Sequence, residues 1–508
     1  MTTSQKRETG DHARRWLPGT LATAAIGLAV TMTPVPGASA QIPASDYAAR
    51  RDSLAATIDS GVVIAFGGRT LVTDFGHFFQ LPAFHYLTGY DEPDAALVVV
   101  IRGGRPHTML FVTKLDPRTA FYYGQRADTA TLARNLHVDA RSSSAMAAIV
   151  DSLAATQWPF YTLTDFEDAD FARADSLTRG QVFMKALVAR HPGLVVRDGH
   201  PIVNRLRAHR TPAEIALLRR AAEISSAGHR AVLLMPRPRH EYEIQAVLES
   251  TFLRLGGERP AYGSIVGSGR NGTELHYMQD RGPARPGDIV VIDAATQFEG
   301  YAADVTRSIP VSGRYSPQQR AIYQLVRDAQ AAAERNAKPG MSRRAASDSS
   351  VQVRARGLAR LGLIESVDAT YDPPASPVTG RHGNAAAAGT EARQANFWMI
   401  HGISHGLGLA VHDPLSGAGE PDAGYRVGDA FTLEPGIYIS SKMFDVLPDT
   451  PRNRQFIARV RATVARYDMT GVRIEDDYAI TDKGLERLST APREIAEIEA
   501  IMATRARR

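Results

Sequence analysis

Val290-Val291-Ile292-Asp293, followed eleven residues later by Asp304 in Tyr301-Ala302-Ala303-Asp304-Val305-Thr306-Arg307, is the stretch that decides the fold. A short β-branched run reads as a buried strand, and this one ends on a carboxylate. The second segment has the same apolar setting and predicts the returning strand of a hairpin, which brings Asp293 and Asp304 together. Two buried carboxylates repel each other, and leaving them uncompensated costs several kcal/mol per ion. A divalent cation removes that cost. Either residue alone would be an ordinary cap or surface acid.

Three segments further along share this character. His401-Gly402-Ile403-Ser404-His405-Gly406-Leu407-Gly408-Leu409-Ala410-Val411-His412-Asp413 concentrates three histidines. Its glycines argue against a helix, so an extended segment suits it better than the helical zinc motif its spacing imitates. Phe431-Thr432-Leu433-Glu434-Pro435-Gly436 and Val472-Arg473-Ile474-Glu475-Asp476-Asp477 each place Glu after an apolar, strand-like lead. Asp293, Asp304, His405, Glu434 and Glu475 together offer four carboxylates and one imidazole. Their charge of −4 balances two divalent ions. Hard oxygen donors favour Mn²⁺, with Co²⁺, Zn²⁺ or Fe²⁺ as substitutes. Two ions about 3.5–4 Å apart can hold a bridging hydroxide ready for attack on a carbonyl.

Around these segments the order of elements repeats. Thr211-Pro212-Ala213-Glu214 is a capping box with Pro at the first helical position, and Ser316-Pro317-Gln318-Gln319 is another. Each opens a pair of helices, and strands follow each pair, so the region from residue 205 to 508 reads as a coarse duplication. Arg452 to Tyr467 carries Phe456, Val460, Val464 and Tyr467 on one helical face. The Pro-, Gly- and Ala-rich stretch 372–394 reads as a flexible insertion. Upstream, residues 41–204 alternate strands (61–66, 95–101 and 108–113) with helical spacing at 145–154. That is an α/β domain of one core.

The first forty residues stand apart. Lys6, Arg7, Arg14 and Arg15 precede an uncharged Leu- and Ala-rich run, and Ala38-Ser39-Ala40 supplies the small residues of a cleavage site. This is the pattern of a signal peptide, so the mature protein is expected to be exported to the periplasm or secreted, without stable membrane insertion. With no cysteine among 508 residues, disulfides, thiolate catalysis and cysteine-ligated metals are excluded. A formal charge of +5 makes no case for nucleic acid. Two motifs mislead. Gly267-Ser268-Gly269-Arg270-Asn271-Gly272 spells a dinucleotide fingerprint but lacks room for the helix that motif requires. Gly402-Ile403-Ser404-His405-Gly406 spells a nucleophile elbow, yet no acid lies between Ser404 and His412 to complete the triad order.

The five ligand segments resemble, in type and order, those of the creatinase/aminopeptidase P/prolidase/methionine aminopeptidase family. Phe84-His85-Tyr86-Leu87-Thr88-Gly89-Tyr90-Asp91-Glu92-Pro93 resembles the N-terminal domain of aminopeptidase P and prolidase. The resemblance implies an α+β protein with a duplicated pita-bread catalytic domain behind a smaller creatinase-like α/β domain. It implies that Asp293 binds one metal, that Asp304 and Glu475 bridge, and that His405 and Glu434 bind the second. Glu434 would also carry the proton from water to the leaving amine. His276 and His412 match residues that contact substrate and stabilise the oxyanion, and His401 and Arg473 match residues lining the proline side. The expected activity is release of the N-terminal residue from peptides with proline second, by a protein that is a homo-oligomer. Three readings compete with it: a prolidase confined to dipeptides, a small-molecule hydrolase or lyase, and a metal-free scaffold. Both the 372–394 insertion and the 440–470 region depart from the usual family pattern, as do Gly406 and Ala294-Ala295.

Overall fold

The computed structural model describes residues 41–70, 77–163, 178–374, 391–417, 420 and 422–507. The expected signal peptide therefore lies outside the described residues. Among those described, no helix is long and apolar enough to cross a membrane.

The N-terminal part is built on a six-stranded mixed sheet. Ser60–Phe66 sits in its centre, antiparallel to Ala96–Arg102 and parallel to Phe160–Leu163. Ala96–Arg102 turns back into Arg105–Val112 through Gly103-Gly104, both at positive φ (51° and 70°), as a two-residue hairpin on a right-twisted sheet requires. Asp139–Ser142 and Val196–Asp198 close the two edges in parallel. The central runs are apolar on both faces because both are covered. Helices Met146–Ala154 and Arg179–Arg190 pack on one side. On the other, Ala44–Thr57 and Pro82–Thr88 share a core with Leu217, Leu218 and Ala221 of helix Pro212–Leu234 and with Ala295, Tyr301 and Ala303. The sheet is thus packed directly against the chain that carries Asp293 and Asp304.

The rest of the chain shows the expected repetition. Helix Pro212–Leu234 starts on its Thr211/Glu214 capping box, and Glu241–Arg254 comes after it. Three antiparallel strands come next: Ile265–Ser268, Ile289–Asp293 and Thr306–Pro310, with Ile289–Asp293 in the middle. Helix Pro317–Asn336 starts on its Ser316/Gln319 box, and Arg343–Leu361 ends at Gly362 in the left-handed conformation. The second set of strands is Ala430–Leu433, Gly436–Ile439, Thr470–Arg473 and Asp476–Thr481. A single bridge between Thr306 and Glu475 joins the two sets.

One expectation needs correcting. Asp304 does not lie on the returning strand: that strand begins at Thr306, which pairs with Asp293. A separate short hairpin, Thr296–Phe298 with Tyr301–Ala302, turns on Glu299-Gly300 at positive φ. Residues 303–305 fall between the two ladders. The backbone N–H of Asp304 donates instead to the Asp477 carboxylate, at 3.1 and 3.2 Å.

The fingerprint glycines serve backbone contact. Gly267 and Gly272 lie against each other, and a Cβ on Gly471 would meet the Gly272 carbonyl at 1.8 Å. Strand Ile265–Ser268 runs on into a short 3₁₀ turn, Gly269–Thr273, so no phosphate-binding helix forms. The amphipathic helix is present as Pro451–Tyr467, burying Phe456, Val460, Val464 and Tyr467. Of the 372–394 insertion, residues 375–390 lie outside the described residues. Its ends are pinned: Thr370–Tyr371 pairs with Ala392–Arg393, and Arg452 on the amphipathic helix binds both Asp372 and Glu391.

Candidate metal centre

Each candidate ligand stands where a regular element stops. Asp293 is the last residue of its strand, and Glu434 directly follows Ala430–Leu433, held off the ladder by Pro435. Asp304 and Glu475 occupy the gaps between ladders. His405 lies in the glycine-rich segment, pinned where its N–H meets Thr432 Oγ1 at 3.3 Å and Thr432 N–H returns to its carbonyl at 2.9 Å.

The groups converge. His405 Nε2 is 3.3 Å from Asp304 Oδ2, 3.6 Å from Glu434 Oε1 and 3.8 Å from Glu475 Oε1. One ligand atom each of Asp304, His405 and Glu475 lies within 4.8 Å of the others. His405 Nδ1–H donates to its neighbour's carbonyl, Gly406 O, at 3.1 Å, which leaves Nε2 as the free lone pair facing the carboxylates. The Tyr262 hydroxyl is placed 2.5 Å from both Asp293 Oδ1 and Asp304 Oδ1. Arg473 Nη2 pairs with Asp293 Oδ2 at 2.5 Å.

Electrostatics divide the set. Burial pushes the Asp304 carboxyl well above the usual range, and the Asp293 charge adds to it. Glu475 is raised by burial, then by Asp304 and Asp293. Glu434 is pushed up to about 8 by burial and by Glu475. Burial also opposes ionisation of Asp293, but Arg473 and the Tyr262 hydrogen bond outweigh it and hold that carboxyl low. Arg473 thereby cancels one negative charge from within the chain, which a count of carboxylates alone leaves out. Asp477, 1% exposed and raised by burial and by Asp304, adds another acid to the same side.

These residues fit a divalent ion. Glu475 Oε2 accepts from Thr306 Oγ1 at 2.7 Å, but its Oε1, fully buried, has no hydrogen-bond partner. A buried polar oxygen without a partner is rare and costs about 1–3 kcal/mol. It is the oxygen that faces His405. A cation coordinated there would satisfy it and relieve the repulsion that raises the three carboxyls.

The remaining expected residues form the surroundings. His401 Nδ1–H donates to Gly402 O at 2.7 Å, and its Nε2 accepts from the Tyr438 hydroxyl at 2.8 Å; burial and Arg473 lower its pKa to about 3. Arg473 donates to the same Tyr438 oxygen at 2.7 Å and is 4% exposed. The His412 ring lies 4.1 Å from that of His405, centroid to centroid, and His412 is exposed. His276 stands exposed in the turn after Gly269–Thr273. Tyr262, Tyr438, Thr306 and Asp477 were not anticipated. Asp477 had a readable signal, since Glu475 and Asp477 alternate to one side of an extended chain with Asp476 on the other. Tyr262, one of 17 tyrosines and in a loop, had none.

Comparison with known proteins agrees with this architecture. The model of Metallopeptidase family M24 matches residues 216–482, and that of the aminopeptidase P N-terminal domain matches residues 47–159. An Xaa-Pro aminopeptidase of Haemophilus influenzae is 31% identical over 84% of this chain and 88% of its own. The structure of Escherichia coli aminopeptidase P with the inhibitor Pro-Leu is similar over 92% of this chain and all of its own, with a TM-score of 0.74 and 27% identity. A zinc-substituted form of that enzyme in complex with product gives 0.73 and 26%, over 92% of this chain and 99% of its own. With a carboxylate–histidine cluster at the junction of two repeated halves and this N-terminal domain in front of it, the chain belongs to metallopeptidase family M24 and is a metal-dependent aminopeptidase.

Proposed function

We propose that the protein releases the N-terminal residue from peptides with proline in second position, using two divalent ions held by Asp293, Asp304, His405, Glu434 and Glu475. The observation that carries this is the buried, partnerless Glu475 Oε1 within a cluster of carboxylates aimed at one imidazole. Mn²⁺ is the expected metal from the oxygen-rich donor set, although the E. coli relative has been obtained zinc-substituted. When bound, two ions would lower the pKa of a shared water and supply hydroxide at neutral pH.

The chain's own residues do the rest. Glu434, at the rim between His405 and His401, accepts the proton of the attacking water and delivers it to the leaving nitrogen. His412 and His276, both solvent-facing, donate to the oxyanion that develops on the scissile carbonyl. His401 and Tyr438 form the wall against the proline ring, held by Arg473 from behind. The tertiary amide nitrogen of a bond to proline carries no N–H, so this wall needs shape and no acceptor. Arg473 is occupied with Asp293, Thr306 and Tyr438, which disfavours its acting as the carboxylate clamp of a dipeptidase.

A peptide panel with added Mn²⁺ tests the reading. Ala-Pro-Ala should be cut after its first residue, Ala-Ala-Ala slowly or not at all, and acetyl-Ala-Pro-Ala not at all. Cleavage of Ala-Pro alone would make the enzyme a prolidase. Resistance of every unblocked peptide with both metals bound would move a small-molecule substrate to first place, and failure to bind metal would favour a scaffold. We further propose a domain boundary near residue 205, assembly of several copies, and export with cleavage before Gln41. Limited proteolysis, sedimentation and N-terminal sequencing of exported material check these in turn.

A further inference from the structure

Behind the two turns that carry Asp293 and Asp304, helix Pro212–Leu234 presents a histidine that the proposed chemistry does not use. His229 is 3% exposed, and its Nε2–H donates to the carbonyl of Ala294 at 2.9 Å. Ala294 directly follows Asp293. Its own N–H donates to the carbonyl of Val305, the residue after Asp304, at 3.2 Å. One imidazole therefore holds the Asp293 turn directly and reaches the Asp304 turn through the Ala294–Val305 hydrogen bond.

No neighbour can replace it. The space beside the ring is lined by Leu233, Ile292, Ile309 and Pro492, which are apolar, and by Arg307. Arg307 is already occupied by the carbonyls of Thr306, Glu475, Ala491 and Pro492 and by Asp476. Burial, reinforced by Arg307, lowers the His229 pKa to about 4, so the ring is neutral at physiological pH and has a single N–H to give. That N–H goes to Ala294, just past the end of the Ile289–Asp293 ladder, where it adds to the Ala294–Val305 and Ala303–Thr296 backbone hydrogen bonds that link the two turns.

We propose that His229 is a positioning residue for the metal centre: by donating to Ala294 from the helix behind, it sets the separation of the turns that present Asp293 and Asp304. The inference rests on the two-metal reading above. Outer hydrogen bonds of this kind typically change metal affinity about 10–100-fold.

The test is Mn²⁺ affinity, measured by chelator competition on the full chain, for wild type, His229→Phe and His229→Gln. Phe keeps a ring of similar shape and removes the donor; Gln keeps an N–H. The Mn²⁺ Kd should rise about 10–100-fold for Phe and stay near wild type for Gln. If His229→Phe does not fold, the smaller His229→Leu takes its place. Unchanged affinity in a folded donor-less variant overturns the proposal, as does equal weakening by Gln and Phe, which would mean the site senses only packing. A wild-type protein that binds no Mn²⁺ overturns the metal centre itself, and shows as such without reference to either variant.

Discussion

Glu475 and Asp476 are adjacent, both essentially buried at 1% and 0%, and electrostatically opposite. Asp476 points into a ring of cations and donors. Arg307 lies 2.6 Å from one oxygen and Arg493 2.9 Å from the other, and Ser489 and Gln330 complete the shell. Burial alone would raise its pKa, but Arg307, Arg493 and Arg487 bring it down to about 2. Glu475 points the other way, at Asp304, Glu434 and His405, and is pushed up with one oxygen unpartnered. One side of the strand balances its charge from within the chain, and the other leaves a negative excess for something outside it. A compensated acid and an uncompensated one thus stand next to each other because neighbouring side chains on an extended chain point to opposite sides.

Four experiments can break or sharpen this contrast. Asp304→Ala strikes the uncompensated side: metal content should fall below two per chain and turnover to background, by elemental analysis and peptide assay. Two ions with full activity would remove Asp304 from the centre. Asp476→Asn strikes the compensated side, leaving Arg307 without its carboxylate and Arg493 with that of Glu334. Breaking a buried pair in this way costs about 3–5 kcal/mol, read as a lower denaturant midpoint. Metal stoichiometry in the folded protein should be unchanged, and a silent substitution would show that the ring of arginines is not what stabilises this strand.

His412→Ala should lower kcat about 10²–10³-fold, the scale for losing one oxyanion donor, with metal content intact. Unchanged turnover at saturating Mn²⁺ would take His412 out of the mechanism. The smallest effect is in pH. Glu434 has a folded pKa of about 8 against a usual 4.5, and Asp304 and Glu475 are shifted in the same direction. At these carboxyls the folded metal-free protein holds more protons than the unfolded chain, so their contribution to stability should fall as pH rises from about 4.5 through about 8. The lowered His229 and His401 oppose that trend only below their usual 6.5. Asp476 has the opposite sign: its contribution is present above pH 3.8 and is lost as pH falls through about 2. Thermal melts with chelator should decline towards alkaline pH, and Mn²⁺ should flatten the curve. A metal-free melt that is level from about pH 6.5 to 8, above the range in which His229 and His401 titrate on unfolding, would mean the carboxyls are already compensated.

Much of the architecture was legible because it depends on local chemistry. The capping boxes at Thr211 and Ser316 start helices where they were expected, since a side chain and a nearby N–H satisfy each other within one turn. The face of Pro451–Tyr467 followed from periodicity. Asp304 was misplaced by the same reasoning: an apolar run around it looks like strand, and only the competing hairpin at Glu299-Gly300 and the Asp477 acceptor take it off the ladder. Arg473 was assigned to the cleft wall, and its pairing with Asp293, 180 residues away in sequence, has no local trace.

By itself the sequence determined which residue types meet. Carboxylates at the ends of apolar strands, and histidines among glycines, are costly unless they converge on a cation, so composition and order were enough to single out five candidate ligand positions. Tertiary structure alone decided the charge each one carries. Whether a buried acid sits low like Asp293 or high like Glu475 depends on which partner folds against it, and Coulomb energies change over a few ångströms that no local pattern encodes.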